Sequence, residues 1–350
     1  MKVVYDIKDL KEQALVATVG FFDGVHSGHR FLIEEVRRVA RERDLPAAVI
    51  TFPVHPRMVL QSDYRPRLLN SYEERLSRLS ETGIDYVIVI NFTPSMAALT
   101  AREFITEILS VQWRVGILFI GYDHRFGHLR SDGFEQYVGY GRECGMEVLG
   151  ADSYSKDGVT FSSSGIRQLL QNGNVAGAAQ VLGYFYRLKG HVVKGYKVGR
   201  SIGFPTANIA IDENFKILPA AGSYAVRVVV GRRINRPFDS VKPFEAEHGE
   251  LPEHGELPGH GELPEHGELP DSGEMPEHGM PDEAWQIKSE LLGHVWLAGK
   301  RNKGMLYIGS RPTVHDHGDV SIEVNIFDFS EDIYGEAITV EFVEFIRGDM

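Results

Sequence analysis

The run ALVATVGFFDGVHSGHRFLIEEVRRVARER, residues 14–43, holds two kinds of patterning joined by a turn. ALVATVG (14–20) is apolar almost throughout and of strand length, as for a strand covered on both faces. From residue 28 the period changes. Leu32, Val36 and Val39 recur at i, i+4 and i+7 with arginines and glutamates opposite, which predicts an amphipathic helix. A buried strand feeding straight into a helix is the opening unit of a parallel sheet with helices on both faces. AAVITF (47–52), YVIVINF (86–92), GILFIGY (116–122) and MEVLGA (146–151) are further apolar runs. Helical periodicities over 28–43, 71–83, 100–110 and 132–144 separate them, and a helical tail, SSSGIRQLLQNGNVAGAAQVLG (162–183), follows.

Beyond Gly183 the pattern becomes period two. Tyr224, Val226, Val228 and Val230 alternate along one segment, Ile322, Val324 and Ile326 along another, and Ile338, Val340, Phe342 and Ile346 along a third. Alternation without intervening helices predicts an antiparallel sandwich or small barrel. The expected architecture is thus α/β plus β, a Rossmann-like parallel-sheet domain over 1–184 and an antiparallel β-barrel domain over 185–350. Between Lys242 and Ala284 stands a tandem repeat, with HGELP at 248, 254, 260 and 266. Each unit offers one large apolar residue beside Pro, Gly and acids, too little to bury a core. Residues 245–283 are therefore expected to be a disordered acidic insertion within the second domain. Its histidines (His248, His254, His260, His266, His278) suggest a divalent metal less strongly than a tolerated surface expansion.

Composition narrows the class. The net charge of −12 comes from the insertion, which holds 13 acids and no Lys or Arg; the remainder has 36 acids against 37 Lys+Arg. A nearly neutral folded part argues for neither nucleic acid nor a membrane surface as partner. A single cysteine, Cys144, excludes an intramolecular disulfide and a cysteine-based zinc site. The N-terminus MKVVYDIKDLKEQ lacks the apolar core of a signal peptide, and no run approaches membrane-spanning length, so the cytoplasm is the expected address. Oligomeric state is not legible.

At the strand–helix junction, GFFDGVHSGH (20–29) places His26 and His29 around the first turn of a helix. Gly20 and Gly24 suit a tight turn, and Gly28 suits close approach to a ligand. Free N–H groups and the macrodipole favour an anion there, and imidazole donors add to that field. A zinc reading needs a third ligand and is left open by the spacing, as is a pair of exposed loop histidines. GYDHRFGHLRSDGF (121–134) brings Asp123 and Arg125 to the same sheet edge. FSSSGIR (161–167) offers Ser163, Ser164 and Arg167 at a helix start, suited to phosphates.

GHVVKGYKVGRSIGFPTANIAI (190–211) carries a second chemistry. Gly195, Gly199 and Gly203 allow a loop to wrap a polyphosphate, with Arg200 beside it. Thr206 and Asn208, two apart in an extended segment, face one side and form an oxygen pair suited to Mg²⁺. A plain glycine-rich hairpin is the bland alternative. Glu323 lies between Ile322 and Val324 and so faces away from them; taken alone it reads equally well as a solvated strand position.

These segments together resemble the prokaryotic bifunctional riboflavin kinase/FAD synthetase family. GFFDGVHSGH contains the H-x-G-H signature of nucleotidyltransferases; TFPVHPRMVL (51–60), DHRFG and FSSSGIR are similar to further segments of the adenylyltransferase half, with His124 and Ser164 as variants. VGRSIGFPTAN, YIGSRPTV (307–314) and SIEVNIFDF (321–329) are similar to the kinase half, and the catalytic glutamate of that pattern falls on Glu323. The resemblance implies ATP as co-substrate, Mg²⁺ as cofactor, and riboflavin, FMN and FAD as substrates and products. It implies that His26 and His29 stabilise the transferring phosphate and that Asp23, Asp123, Ser163, Ser164 and Arg167 position the nucleotide. It also implies that Arg200, Thr206 and Asn208 hold MgATP. Phe52, His55 and Phe126 are candidates for the flavin ring. The sequence departs from the pattern in the acidic repeat and in ending at FVEFIRGDM, where the family continues with a charged segment and a terminal helix. Three alternatives follow: an adenylyltransferase for FMN only, with an inactive flavin-binding barrel; a cytidylyl- or adenylyltransferase for another phosphate monoester; and a flavin-binding or scaffold protein with a degraded kinase barrel.

Overall fold

The structure, a computed structural model, describes residues 1–10, 13–61, 63–121, 125–127, 132–151, 155–156, 159–195, 205–213, 215–231, 301–310 and 320–348. The acidic repeat with its histidines, Asp123, His124, Gly199, Arg200, Gly203 and residues 311–314 of the YIGSRPTV segment lie outside them.

All five apolar runs of the first half are strands of one parallel sheet: β2 (Leu15–Val19), β3 (Ala47–Thr51), β4 (Tyr86–Val89), β5 (Val115–Ile120) and β6 (Glu147–Gly150). A sixth strand, β1 (Lys2–Val4), pairs parallel with β4 at the sheet edge. Three residues are too few to show a period, and pairing with the open edge of β4 makes them a strand. The order β1-β4-β3-β2-β5-β6 puts β2 in the interior, with β3 on one side and β5 on the other. The chain's winding reverses between β2 and β5, so their carboxyl ends flank the crevice where such sheets take ligands.

Helices cover both faces. On one, α1 (Ser27–Glu42) and α3 (Tyr72–Ser80) contribute Ile33, Val36, Val39, Leu76 and Leu79 to a core with Val16, Val49 and Val87. On the other, Phe104, Ile105, Leu109 and Tyr137 pack on Leu15, Ala17, Ala48 and Ile88. Those residues come from α6 (Phe134–Glu143) and from a helix expected over 100–110, which starts as α5 (Ala101–Glu103) and continues as a π-helix, Phe104–Gln112. Short helices α2 (Pro56–Leu60) and α4 (Pro94–Ala98) follow β3 and β4. After β6 come a two-residue hairpin, β7 (Ser155–Lys156) and β8 (Val159–Thr160), and then α7 (Ser163–Gln171) and α8 (Val175–Leu182).

The second half closes into a six-stranded antiparallel barrel of β9 (Arg187–Val193), β10 (Ala207–Ile211), β11 (Gly222–Gly231), β12 (Arg301–Ser310), β13 (Val320–Ile326) and β14 (Ala337–Arg347). Around the closed wall the order is β10-β13-β12-β11-β14-β9. Most of the alternating residues turn inward as expected: Tyr224, Val226, Val228, Ile322, Val324, Ile326, Ile338, Val340 and Phe342 are buried in its core, whereas Ile346 is 53% exposed, because register shifts in the β11–β14 pairing turn Phe345 toward the core instead. Helices α7 and α8 join that same core through Ile166, Leu170, Val175, Ala178 and Leu182, and Leu69 reaches it from the sheet half. The two halves are thus joined by packed apolar side chains as well as by chain connection.

Candidate active sites

The turn after β2 is held in an unfavourable conformation. Phe22, Gly24 and Val25 have φ of 55°, 83° and 38°. The left-handed region suits Gly24, whereas for Phe22 and the β-branched Val25 it costs about 1–3 kcal/mol each. A side chain at Gly24 would also meet Leu69 Cδ1 at 2.8 Å. The strain is fixed by the burial of Phe22 (3% exposed) and Val25 (0%) and by bonds around Asp23. The Asp23 carboxylate accepts from the amides of Leu69 (3.0 and 3.2 Å) and Asn70 (3.2 Å) and from Arg167 Nη2 (2.5 Å). Ser163 Oγ donates to the Asp23 carbonyl at 2.9 Å, and the Tyr184 hydroxyl to the Gly24 carbonyl at 2.6 Å. Burial raises the Asp23 pKa, and the Arg167 guanidinium with the two amides works against that rise.

His26 is the N-cap of α1, its Nδ1 accepting from the His29 amide at 3.4 Å. The His26 and His29 rings stack with centroids 3.7 Å apart, and Phe22 meets His29 edge-on at 5.1 Å. Gly28 lies against the His26 ring. A Cβ there would lie 3.2 Å from His26 Cε1 and 3.4 Å from Phe161 Cβ, so its missing side chain makes room for the imidazole. Gly20 ends β2, its amide donating to the Ile50 carbonyl at 3.0 Å.

Burial pushes His26 down to about 4, and the Arg167 charge acts in the same direction. His26 is therefore neutral near pH 7, and with Nδ1 accepting, Nε2 carries the proton. The unfolded chain takes up this proton near pH 6.5 and the folded chain only near 4. His26 therefore destabilises the fold progressively as pH falls through that window, by roughly 3 kcal/mol in all. Urea unfolding of wild type and His26→Gln at pH 7 and pH 4 is expected to show the smaller acid loss in the variant. Equal losses would refute the assignment.

Arg167 is committed to the turn, since its Nε also donates to the Arg67 carbonyl at 2.7 Å. Arg125 Nη1 donates to the Asp132 carbonyl at 3.0 Å. Ser164 lies in the first turn of α7, which Ser162 caps. Each of the three rings considered for the flavin is engaged by another ring of the chain: Phe52 by Phe92 (5.4 Å), His55 by Phe21 (4.7 Å) and Phe126 by Tyr137 (4.5 Å, 8° between planes).

On the barrel, antiparallel pairing sets Asn208 of β10 directly opposite Glu323 of β13, and Tyr307 of β12 opposite Glu323 on its other side. Ile322 and Val324 point into the core, so Glu323 stands on the outer face. Thr206 Oγ1 donates to Glu323 Oε2 at 3.2 Å across 117 residues of chain. Asn325 Nδ2 fixes the approach of that segment by donating to the Pro205 carbonyl at 2.8 Å. Gly195 lies against the Asn208 carboxamide so closely that a Cβ would overlap it. A hydroxyl, a carboxamide and a carboxylate, all oxygen donors, thus meet on one patch.

Several residues of the first site gave no signal beyond helix periodicity. Arg75, 1% exposed, lies over the Phe21 ring at 3.9 Å and donates to the carbonyls of Phe52 (2.5 Å) and Pro53 (3.4 Å), tying the end of β3 to the turn. In YEERLSRLS the charged residues read as a solvated face, yet Glu74, Arg75 and Arg78 are buried. The one available sign was the Ser71–Glu74 spacing, which is a capping box.

Paired imidazoles on a strained strand–helix turn at a sheet's switch point, followed by a barrel with an oxygen-lined outer patch, define a two-centre nucleotide-handling transferase. The FAD synthetase family matches residues 8–165 and the riboflavin kinase family residues 182–350. The chain belongs to the bifunctional riboflavin kinase/FMN adenylyltransferases. The Escherichia coli K12 protein of that name is 37% identical over 226 residues, covering 65% of this chain and 72% of the relative. The Bacillus subtilis one is 29% identical, with 98% and 87% covered. A solved Streptococcus pneumoniae structure described as a macrolide-efflux protein has a TM-score of 0.72 at 26% identity, covering 100% of this chain and 91% of that one. Efflux is that protein's description. Among the described residues of this chain no helix is long and apolar enough to cross a membrane.

Proposed function

We infer that this chain phosphorylates riboflavin to FMN in its barrel half, 185–350, and adenylylates FMN to FAD in its sheet half, 1–184, using ATP each time in the cytoplasm. The observation that carries the reading is the meeting of Thr206, Asn208 and Glu323 on one barrel face, in a chain whose β2–α1 turn holds the imidazole pair.

In the sheet half, a phosphate oxygen of FMN attacks the α-phosphorus of ATP. The new O–P bond forms as the bond to the β-phosphate breaks, and pyrophosphate leaves with that electron pair. His26, neutral with its proton on Nε2, donates to the α-phosphate oxygens where charge develops, and His29 beside it does the same. The first amides of α1, lacking intrahelical acceptors, add to that field. Asp23 keeps the turn in shape through Leu69, Asn70 and Arg167; Ser163, Ser164, Asp123 and Arg125 line the nucleotide's path.

In the barrel half, the riboflavin 5′-hydroxyl attacks the γ-phosphorus, its proton passes to Glu323 and ADP leaves. Gly195, Gly199, Arg200 and Gly203 are assigned to the phosphates. The oxygen donors of Thr206 and Asn208 fit Mg²⁺, which prefers few protein ligands and substrate phosphates; when bound it neutralises phosphate charge. Glu323, already an acceptor from the Thr206 hydroxyl, orients the attacking hydroxyl in the same way.

Purified chain with riboflavin, ATP and magnesium is expected to yield FMN and then FAD on chromatography. FAD formed only from supplied FMN would remove the kinase assignment, and neither product with flavin retained would make the protein a flavin binder.

A further inference from the structure

The segment Leu68–Asn70 faces two ways. The Leu68 amide donates to the Phe215 carbonyl at 2.8 Å, and the Ile217 amide to the Leu68 carbonyl at 2.9 Å, so Leu68 pairs in parallel with Lys216 in the segment between β10 and β11. The next two amides, Leu69 and Asn70, turn the other way and hold the Asp23 carboxylate. Lys216 then makes a second connection. Its Nζ reaches Glu74 Oε2 at 2.5 Å and the Arg187 carbonyl at 2.8 Å. The same Glu74 oxygen accepts from the Ser71 amide at 3.0 Å, closing the cap that starts α3 directly after Asn70. Both charged groups are buried, Lys216 at 5% and Glu74 at 6% exposure. On the far side, the Tyr184 hydroxyl, between α8 and β9, bonds the Gly24 carbonyl at 2.6 Å and lies 3.2 Å from Asn70 Oδ1.

A buried ammonium is costly unless paired, and the salt bridge that pairs this one is made by a residue of the other half. Its partner sits at the start of the helix whose lead-in residues grip the catalytic turn. That turn carries positive φ at Phe22 and Val25, a conformation that persists only when its surroundings over-determine it. We propose that Lys216 is a positioning residue for the adenylyl transfer: through it the kinase barrel, with Tyr184 at the junction of the two halves as a second brace, holds the strained Asp23–His26 turn in its working shape. The route runs from Lys216 to Glu74, to the Ser71 cap and Asn70, to Asp23. The barrel's own centre is not on it, since Thr206, Asn208 and Glu323 are held by β10–β13 pairing.

This rests on the functional reading above, and wild-type chain supplied with FMN and MgATP tests that reading separately: no FAD from wild type removes both. With wild type active, Lys216→Met is expected to lower FAD formation from supplied FMN at least tenfold and to keep riboflavin phosphorylation within threefold. Glu74→Gln/Lys216→Met is expected to recover most of the lost rate, because Gln still accepts from the Ser71 amide and neither member of the ion pair is left without the other. A general loss of structure would move both activities together, so the split separates positioning from instability. Adenylylation within threefold of wild type in Lys216→Met, a parallel fall of both activities, or a double variant as slow as the single one would each overturn the proposal. Should Lys216→Met not fold, Tyr184→Phe carries the test. It removes one hydroxyl and is expected to slow FAD formation several-fold with FMN formation unchanged; an unchanged FAD rate would overturn the proposal.

Discussion

His29→Ala is expected to lower FAD formation from FMN by about a hundredfold or more and to leave FMN formation from riboflavin within about threefold, the size expected for removing one donor aimed at developing charge. The effect is large because the side chain does two things. In the proposed reaction it offers its own ring to the phosphate, and it supports the neutral His26 ring by stacking at 3.7 Å. Phe22 holds it from the other side, so the ring is oriented before substrate arrives. The kinase centre is built elsewhere, from β10 and β13 on the barrel's outer face. Initial rates measured separately with FMN and with riboflavin decide the matter. A fall in both, or FAD formation within tenfold of wild type, would remove His29 from the chemistry.

The parts of this arrangement legible in sequence were those with a period or a close spacing. β2 and α1 announce themselves because one is apolar throughout and the other repeats every three to four residues, and the turn between them contains its whole functional set within ten residues. Ile322 and Val324 fixed the direction of Glu323 for the same reason, since a strand alternates whatever it pairs with. Pairings across the chain left no such mark. Nothing near Asn208 says that Glu323 lies opposite it, and nothing in YEERLSRLS says that Glu74 will meet Lys216, 142 residues on, while Arg75 turns onto Phe21. Helical periodicity assigns a residue to a face but not to a partner; when a second lobe covers the polar face, charge no longer signals solvent. Gly28 shows the same limit. A missing side chain declares that something comes close, and only the fold reveals that it is the His26 ring.

Glu323→Gln is expected to reduce riboflavin phosphorylation by about a hundredfold to ten-thousandfold, the range for a lost general base, with FAD formation from supplied FMN unaltered. The substitution suits the question because it changes so little else. A glutamine oxygen can still accept from Thr206 Oγ1, as Glu323 Oε2 does at 3.2 Å, and the strand pairing with Asn208 and Tyr307 is made by backbone. What is lost is the ability to take a proton and the negative charge beside the attacking hydroxyl. Thr206→Ala gives the contrast. It leaves the carboxylate in place and removes an oxygen from the pair suited to magnesium, so the expected change is a higher magnesium requirement rather than a uniformly lower rate. A magnesium titration of riboflavin phosphorylation on both variants separates the two roles. If Glu323→Gln shifts the magnesium midpoint and recovers its rate at saturating metal, the carboxylate is a ligand and not a base. If its rate stays low at every magnesium concentration while Thr206→Ala recovers, the proton has lost its acceptor, and the outer face of β13 is where the hydroxyl must lie.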